Sequence, residues 1–300
     1  MLKNVLKFIF ILLVILLCSF YVTIIEPNKL IINEYDLYIP NWDKKLDGLR
    51  VLTLSDLHIG SSYVSTDRLE KIVNKINTTP KDIVIILGDF DAKTISQKGL
   101  EEKTSEVLAQ INAPKGVFAI YGNHDYEPRC IIGPILQKAG IKILADNGIK
   151  ISQNNASFTL FGIHDIWHYK SNPRHLLQKS IQPVIFLSHN PDIFPEVPAN
   201  VSLTLSGHTH GGEIMLPILG ALFIPSKYCH RYAKGYVIED GKHLFVTSGI
   251  ATTGYFRSFN PPEIIVLNLY SENKTKNKNV KNKFSHGLSD FFAYYNKRKF

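Results

Sequence analysis

Cysteine is scarce: the 300 residues hold three, Cys18, Cys130 and Cys229. Cys18 lies in an apolar run and the other two are far apart, so no disulfide framework and no zinc-type cysteine spacing is present. That excludes disulfide-stapled scaffolds and thiolate-rich structural zinc modules, and it leaves the redox compartment open. No internal repeat is present either. Acidic residues are outnumbered, 26 against 34 Lys and Arg, for a formal charge of +8 and a pI near 9.2. Such a balance suits nucleic acid, anionic lipid or phosphorylated substrates without choosing among them. Apolar material is plentiful. Hydrophobic residues are 45% of the chain and charged residues 20%, which allows a sizeable core and excludes global disorder.

Charge is absent from one long run, Phe8 to Ile25, which Lys3 and Lys7 precede. About 20 apolar residues cross a bilayer as a helix. A cleaved signal would have a shorter apolar region with a small-residue site behind it. Here the run continues through Phe20, Tyr21, Ile24 and Ile25, and no A-x-A-like site follows. Residues 1–25 are therefore expected to be a retained single-pass anchor. Lysines ahead of it favour a cytoplasmic N-terminus, but Lys29, Lys44 and Lys45 behind it weaken that signal. Residues 26–45, punctuated by Pro27 and Pro40, read as a connector, and residues 46–270 as one domain. Residues 271–300 read as a tail, rich in Lys and Asn and then aromatic and basic. It suits either a helix docked on the domain or a segment lying on a membrane surface.

Within residues 46–270 short apolar runs alternate with helical stretches. Ser65 to Asn77 has Leu69, Ile72, Val73 and Ile76 on one face, with Ser65, Thr66 or Asp67 as caps. Leu100 to Ile111 is a second helix candidate. Strand candidates are Arg50 to Leu54, Asp82 to Leu87, Val117 to Tyr121, Phe158 to Ile163, Val184 to Leu187, Leu203 to Leu205, His243 to Thr247 and Ile264 to Leu269. The alternation predicts an α/β domain whose sheets are covered on their faces.

Five polar motifs sit just beyond apolar strands, where reactive loops of such sheets lie. They are Asp56-Leu57-His58, Gly88-Asp89, Gly122-Asn123-His124-Asp125, Ser188-His189 and Gly207-His208-Thr209-His210. Each alone is a weak signal. Together they would leave many unpaired polar groups at one sheet edge, at a cost of several kcal/mol that bound metal removes. Imidazole, carboxylate and one amide oxygen suit Mn, Fe, Zn, Co or Ni better than Ca. Two cations about 3.5–4 Å apart need a shared ligand, and Asp89, the carboxylate in the middle of the series, is the candidate bridge.

The motif series resembles the calcineurin-like metallophosphoesterase superfamily, from about Leu46 to Leu269. Downstream, Gly207 to Gly212 with Leu216-Pro217, Ser248 to Gly254, and Arg257 to Ile264 with Asn260-Pro261-Pro262-Glu263 are similar to one branch. It is the branch of small membrane-associated phosphodiesterases typified by YaeI and YkuE, to which the lipid A enzyme LpxG belongs. The resemblance implies a two-sheet, four-layer αββα sandwich behind the anchor. It implies one divalent metal on Asp56, His58, Asp89 and His210, and a second on Asp89, Asn123, His189 and His208. His124 would stand beside the metals without binding them, and would protonate the leaving oxygen or stabilise the transition state as imidazolium. The implied substrate is a phosphodiester or pyrophosphate, including lipid-linked compounds such as UDP-2,3-diacylglucosamine, at a bacterial inner membrane. No specific nucleic-acid partner is expected. The alternatives are a nuclease or cyclic-nucleotide phosphodiesterase, or a non-catalytic phosphate-binding scaffold.

The superfamily's second Asp, three residues after the bridging one, is replaced by Ala92, so Asp91 or Asp125 is left as a partner for His124. Arg257 is a candidate phosphate clamp, because guanidinium matches phosphate in a bidentate way. His164, Asp165 and His168 read as loop hydrogen-bonding residues or as lining of the substrate cleft, and Trp42 and Trp167 as packing residues. Leu216, Pro217, Ile218, Leu219, Leu222, Phe223 and Ile224 are either core or an apolar lip for acyl chains.

Overall fold

Strands that are apolar on both faces need cover on both faces, and the architecture supplies it. The computed structural model describes residues 1–90, 95, 99–126, 129–216, 220–254 and 256–272. One six-stranded sheet has the order β1 (Ile31–Ile39), β14 (Glu263–Ser271), β2 (Leu49–Leu54), β3 (Ile83–Ile86), β4 (Val117–Ala119), β5 (Lys142–Ile143). The other has β12 (Gly235–Glu239), β13 (Lys242–Val246), β9 (Leu203–Ser206), β8 (Val184–Leu187), β7 (Ala156–Gly162), β6 (Asn147–Gln153). Strands β2 to β5 are parallel, and so are β7, β8, β9 and β13.

The period-2 geometry of a strand sends alternate residues to opposite faces. In β3, Ile83 and Ile85 join the core between the sheets, while Val84 and Ile86 join the core under the helices. In β8, Ile185 and Leu187 face the other sheet, while Val184 and Phe186 pack outward with Phe194 and Val197. The outer layer on the first sheet is α3 (Thr66–Thr78), α4 (Glu101–Leu108) and α5 (Arg129–Lys138), contributing Leu69, Ile72, Val107, Leu108, Ile132 and Leu136. Helix α3 begins as its sequence indicates: Ser65 Oγ accepts from Arg68 N at 3.3 Å, the N-cap bond. The outer layer on the second sheet is thinner. Among the described residues it includes the four-residue α6 (Pro173–Leu176) and 3₁₀ turns at Leu177–Lys179, Pro191–Glu196 and Cys229–Tyr232.

The stretch expected to be a connector is in part a strand. Residues Ile31–Ile39 run parallel to β14 over nine paired positions, from Ile31↔Glu263 to Ile39↔Ser271. Asn33, Glu34 and Asp36 interrupt its apolar pattern, which hid it in the sequence. Their side chains are used within the sheet: Asn33 Nδ2 donates to Glu263 at 2.6 Å, and Asn268 Nδ2 donates to Glu34 at 2.7 Å and Asp36 at 2.9 Å. The tail reading falls almost wholly on residues 273–300, outside the described residues. At the other end, α1 (Leu2–Phe20) continues through a π turn at Tyr21–Ile25 into α2 (Glu26–Asn28). The result is one apolar helix of 27 residues with none of its apolar window buried against the protein.

Candidate metal centre

The carboxyl ends of β2, β3, β4, β8 and β9 lie at one edge of the sandwich, and each ends in one of the five motifs. Backbone bonds lace the loops together. Asp56 N donates to Gly88 O and His58 N to Asp89 O, both at 3.0 Å, and Gly207 N donates to His189 O at 2.9 Å. Contact between these loops is close: a Cβ on Gly122 would lie 2.1 Å from Asp89 Oδ1, and one on Gly207 2.0 Å from Ser55 Oγ. Only glycine fits such approaches.

Five side chains are presented from left-handed backbone: Asp56 (φ 57°), His58 (φ 39°), Asp89 (φ 56°), His208 (φ 69°) and His210 (φ 50°). Such conformations cost free energy in non-glycine residues and concentrate at functional sites. Here they gather two buried groups whose donor atoms lie within 4.8 Å of one another: Asp56, His58 and His210, and Asp89, His189 and His208. Asp89 Oδ1 accepts from His124 N at 2.9 Å. Its Oδ2 faces both groups, 3.2 Å from His189 Nε2 and 3.7 Å from His58 Nε2. Asp56 Oδ1 lies 3.4 Å from His210 Nε2. His58 and His210 stack with ring centroids 5.4 Å apart.

The donor atoms are those a cation would need. Asp56 Oδ1, His58 Nε2, Asn123 Oδ1 and His208 Nε2 are buried without a hydrogen-bond partner. Leaving one such group unsatisfied costs about 1–3 kcal/mol, and here four converge. Nδ1 of His189 lies 2.6 Å from Leu87 O, and that of His210 lies 3.1 Å from Ala251 O. An N–H there fixes the tautomer and aims the Nε2 lone pair inward, as metal-binding imidazoles require. Burial pushes His58 down to about 4 and His208 to about 3, so both are neutral donors at pH 7. Burial opposes a charge on His189, but the Asp89 carboxylate overcomes it and raises His189 to about 10. A cation would replace that proton. The residues therefore fit two divalent cations.

A family model described as calcineurin-like phosphoesterase matches residues 49–212, more than half of the chain. The chain belongs to this family. It is 29% identical to phosphodiesterase YaeI of Escherichia coli, over 73% of this chain and 82% of that one. It is 28% identical to the uncharacterized metallophosphoesterase YkuE of Bacillus subtilis, over 84% of this chain and 90% of that one. It is 25% identical to UDP-2,3-diacylglucosamine pyrophosphatase LpxG of Chlamydia muridarum, over 81% and 90% respectively. The chain is thus a metallophosphoesterase, a metal-dependent phosphoester hydrolase.

Around this metallophosphoesterase centre several residues differ from their sequence readings. Arg257 is not a phosphate clamp. It is fully buried, and its guanidinium donates to the carbonyls of Asn260, Ala251, His210 and Ser248. It fastens the loop that carries His210. Arg257→Lys should therefore lower the unfolding midpoint and weaken cation binding, because each buried carbonyl left unpaired costs about 1–3 kcal/mol. Thermal unfolding with and without metal checks this. A change in KM alone, with the midpoint kept, would restore the clamp.

Asp125 serves the loops. Its carboxylate accepts from the amides of Asp89, Phe90 and Gly122, each at 2.8 Å. Burial, reinforced by the charge of Asp89, raises it to about 7. Asp91, the other suggested partner of His124, lies outside the described residues. His124 is exposed, with its ring edge-on to His58 at 5.3 Å. Trp42 is a core residue packed on Phe158, but Trp167 is exposed and sits edge-on to His208 at 4.6 Å. His164, Asp165 and His168 make loop bonds. His164 pairs with Tyr126 Oη, Asp165 accepts from Trp167 N, and His168 Nε2 lies 3.0 Å from Asn123 O. A cavity of about 280 Å³ opens at the centre, lined by residues including Asp89, Asn123, His124, Trp167, Leu222 and Phe223.

The buried imidazoles have a measurable consequence. In the unfolded chain His58, His208 and His243 take a proton near 6.5, whereas burial holds them at about 4, 3 and 4 in the folded one. The stability they contribute is complete above pH 6.5 and is lost as pH falls through 4. Asp125, raised to about 7, and Asp165, raised by burial, each oppose at most one of the three, and His189, raised to about 10, is already at full effect below 6.5. The urea midpoint of the chelator-stripped protein should therefore fall between pH 6.5 and 4. A flat midpoint would mean that these rings are solvated.

Proposed function

We propose that this chain hydrolyses an amphiphilic phosphodiester or pyrophosphate at a membrane surface. One cation would be held by Asp56, His58, Asp89 and His210, the other by Asp89, Asn123, His189 and His208. When bound, a divalent pair supplies a nucleophilic water at neutral pH and neutralises phosphate oxygens. The placement of Asp89 Oδ2 between the two imidazole groups supports its bridging role. His124, exposed at the cavity wall with its backbone held by Asp89, is the group that hands a proton to the departing oxygen.

One observation carries the substrate class. Leu222 and Phe223, 60% and 74% exposed, line the same cavity as the ligand residues. Exposed apolar side chains beside a charged centre suit a substrate that is apolar at one end and phosphorylated at the other. The apolar helix Leu2–Asn28 supports the same reading, since a domain held at a bilayer meets lipid-linked substrates there. So does the likeness to LpxG, named for a diacylated nucleotide sugar. The competing substrate is a water-soluble cyclic or polymeric nucleotide. Trp167 would stack a base in either case, whereas Leu222 and Phe223 have a use only with lipid.

The test compares an acylated nucleotide diphosphate sugar with its deacylated analogue, using the full chain in mixed micelles. A kcat/KM at least roughly 10-fold higher for the acylated compound is expected, the effect of burying one or two methylenes or more. Equal rates, or a preference for the deacylated compound, would leave a phosphodiesterase of soluble substrates.

A further inference from the structure

The foot of the long apolar helix is joined to the domain. Val22 O accepts from Arg257 N at 2.9 Å, and the buried Glu26 carboxylate accepts from Asn260 N at 3.0 Å. From α3, the Arg68 guanidinium donates to the carbonyls of Asn28 at 2.8 Å and of Pro27 and Lys29 at 3.1 Å. A helix end leaves such carbonyls without intrahelical partners, and here the domain supplies them. Helix and domain are therefore one body, and the depth of the helix in a bilayer fixes the depth of whatever is attached to its foot.

What is attached leads directly to the cavity. Ser258, next to Arg257, bridges Ile214, with Ser258 N donating to Glu213 O at 3.1 Å and Met215 N to Ser258 O at 3.0 Å. Ile214 O in turn accepts from Leu222 N at 3.1 Å. Segments joined in this way lie about 4.8 Å apart, so Leu222 is roughly 10 Å from the segment bonded to Val22.

The length of the helix sets the depth. A hydrocarbon core of about 30 Å takes about 20 helical residues. Counted from Leu2, the helix leaves the core near Tyr21; counted from Phe8, beyond Lys3 and Lys7, it leaves near Pro27. Val22 is at the boundary in the first register and about 8 Å inside it in the second. The segment around Arg257 then lies in the headgroup layer or just beneath it. That segment carries Phe259, 43% exposed and held at φ 51°. Left-handed backbone is unfavourable for an aromatic residue, yet the fold keeps one there with its ring outward.

We propose that the face bearing Leu222, Phe223 and Phe259 is seated in the headgroup layer of the bilayer that the helix crosses. The metal cavity then opens onto the lipid surface and takes its substrate laterally from the membrane. This rests on the helix being a membrane anchor, and it adds a second contact with the bilayer, made by the catalytic domain itself.

The experiment places a tryptophan reporter in the full chain, reconstituted in phosphatidylcholine–phosphatidylglycerol vesicles. Phe223→Trp and, as a second site, Phe259→Trp are compared with Ile181→Trp. Ile181 is also exposed but precedes β8, at the opposite end of that strand from His189. Trp42 and Trp167 are common to all, so differences from the parent report the added ring. With acyl-chain-brominated phosphatidylcholine, the added emission at 223 should fall about twofold or more, as expected for burial about 5–10 Å into the boundary. Emission at 181 should be unchanged. No quenching at 223 or 259, in a chain that still floats with the vesicles, would overturn the seated face and leave the anchor standing. Equal quenching at 181 would overturn it as well, since the domain would then have no preferred face. A chain that does not float with vesicles would overturn both readings.

Discussion

Asp89→Asn should release one or both cations and lower turnover of a chromogenic phosphodiester by roughly 10³-fold or more, because the site depends on a shared ligand. In the folded chain one carboxylate oxygen is taken by the amide of His124, and the other stands between His189 and His58. An amide cannot fill both positions. If its oxygen faces His124 N, its NH₂ points at the cations; if it is flipped, two N–H donors oppose each other. It also lacks the charge that makes a carboxylate a natural bridge. Fold loss is not the expected cause, since asparagine matches aspartate in size and Asp89 lies beyond β3, outside the paired strand. Metal content and turnover measured on the same preparation check this. Wild-type metal content with near wild-type turnover would remove Asp89 from the bridging position.

His124→Ala should behave differently. Metal should stay, because the bond to Asp89 comes from the backbone amide of residue 124, which alanine keeps. Turnover should drop about 10²–10⁴-fold, the range for a lost acid–base group. The drop should shrink when the leaving group is nitrophenolate, which needs little protonation. An equal drop for good and poor leaving groups would contradict the acid role and assign His124 to stabilising charge on the phosphoryl group.

The centre was legible in the sequence because its scaffold is legible. Strands such as Ile83–Ile86 and Val184–Leu187 are buried on both faces, so they read as unbroken apolar runs. The first polar residues beyond them stand at the sheet edge. The side chains of the two groups that could hold metal, Asp56, His58 and His210 with Asp89, His189 and His208, therefore stand in order along the chain. Helix α3 was legible through Ser65 and the spacing of Leu69, Ile72, Val73 and Ile76. Strand β1 was not, because polar side chains paired with distant Glu263 and Asn268 broke its pattern. The place of Arg257 was hidden for a similar reason: a guanidinium that binds phosphate and one that binds four carbonyls are identical in sequence. Asp125 as a brace for three amides, Trp167 as a wall of the cavity and the left-handed backbone of five ligand residues all depend on approach in space. No local pattern encodes them, although the clustering of Gly88, Gly122 and Gly207 at the motif positions hints at the crowding.

On the proposed reading, two cations held by seven side chains at one sheet edge carry out the phosphoester hydrolysis. The most direct test strips the full chain with chelator and titrates it with Mn while metal content and turnover of bis(nitrophenyl) phosphate are followed together. Two buried ligand groups require activity to be absent in the stripped protein and to reach its plateau at two equivalents per chain. A plateau at one equivalent, or full turnover in the stripped protein, would contradict the account.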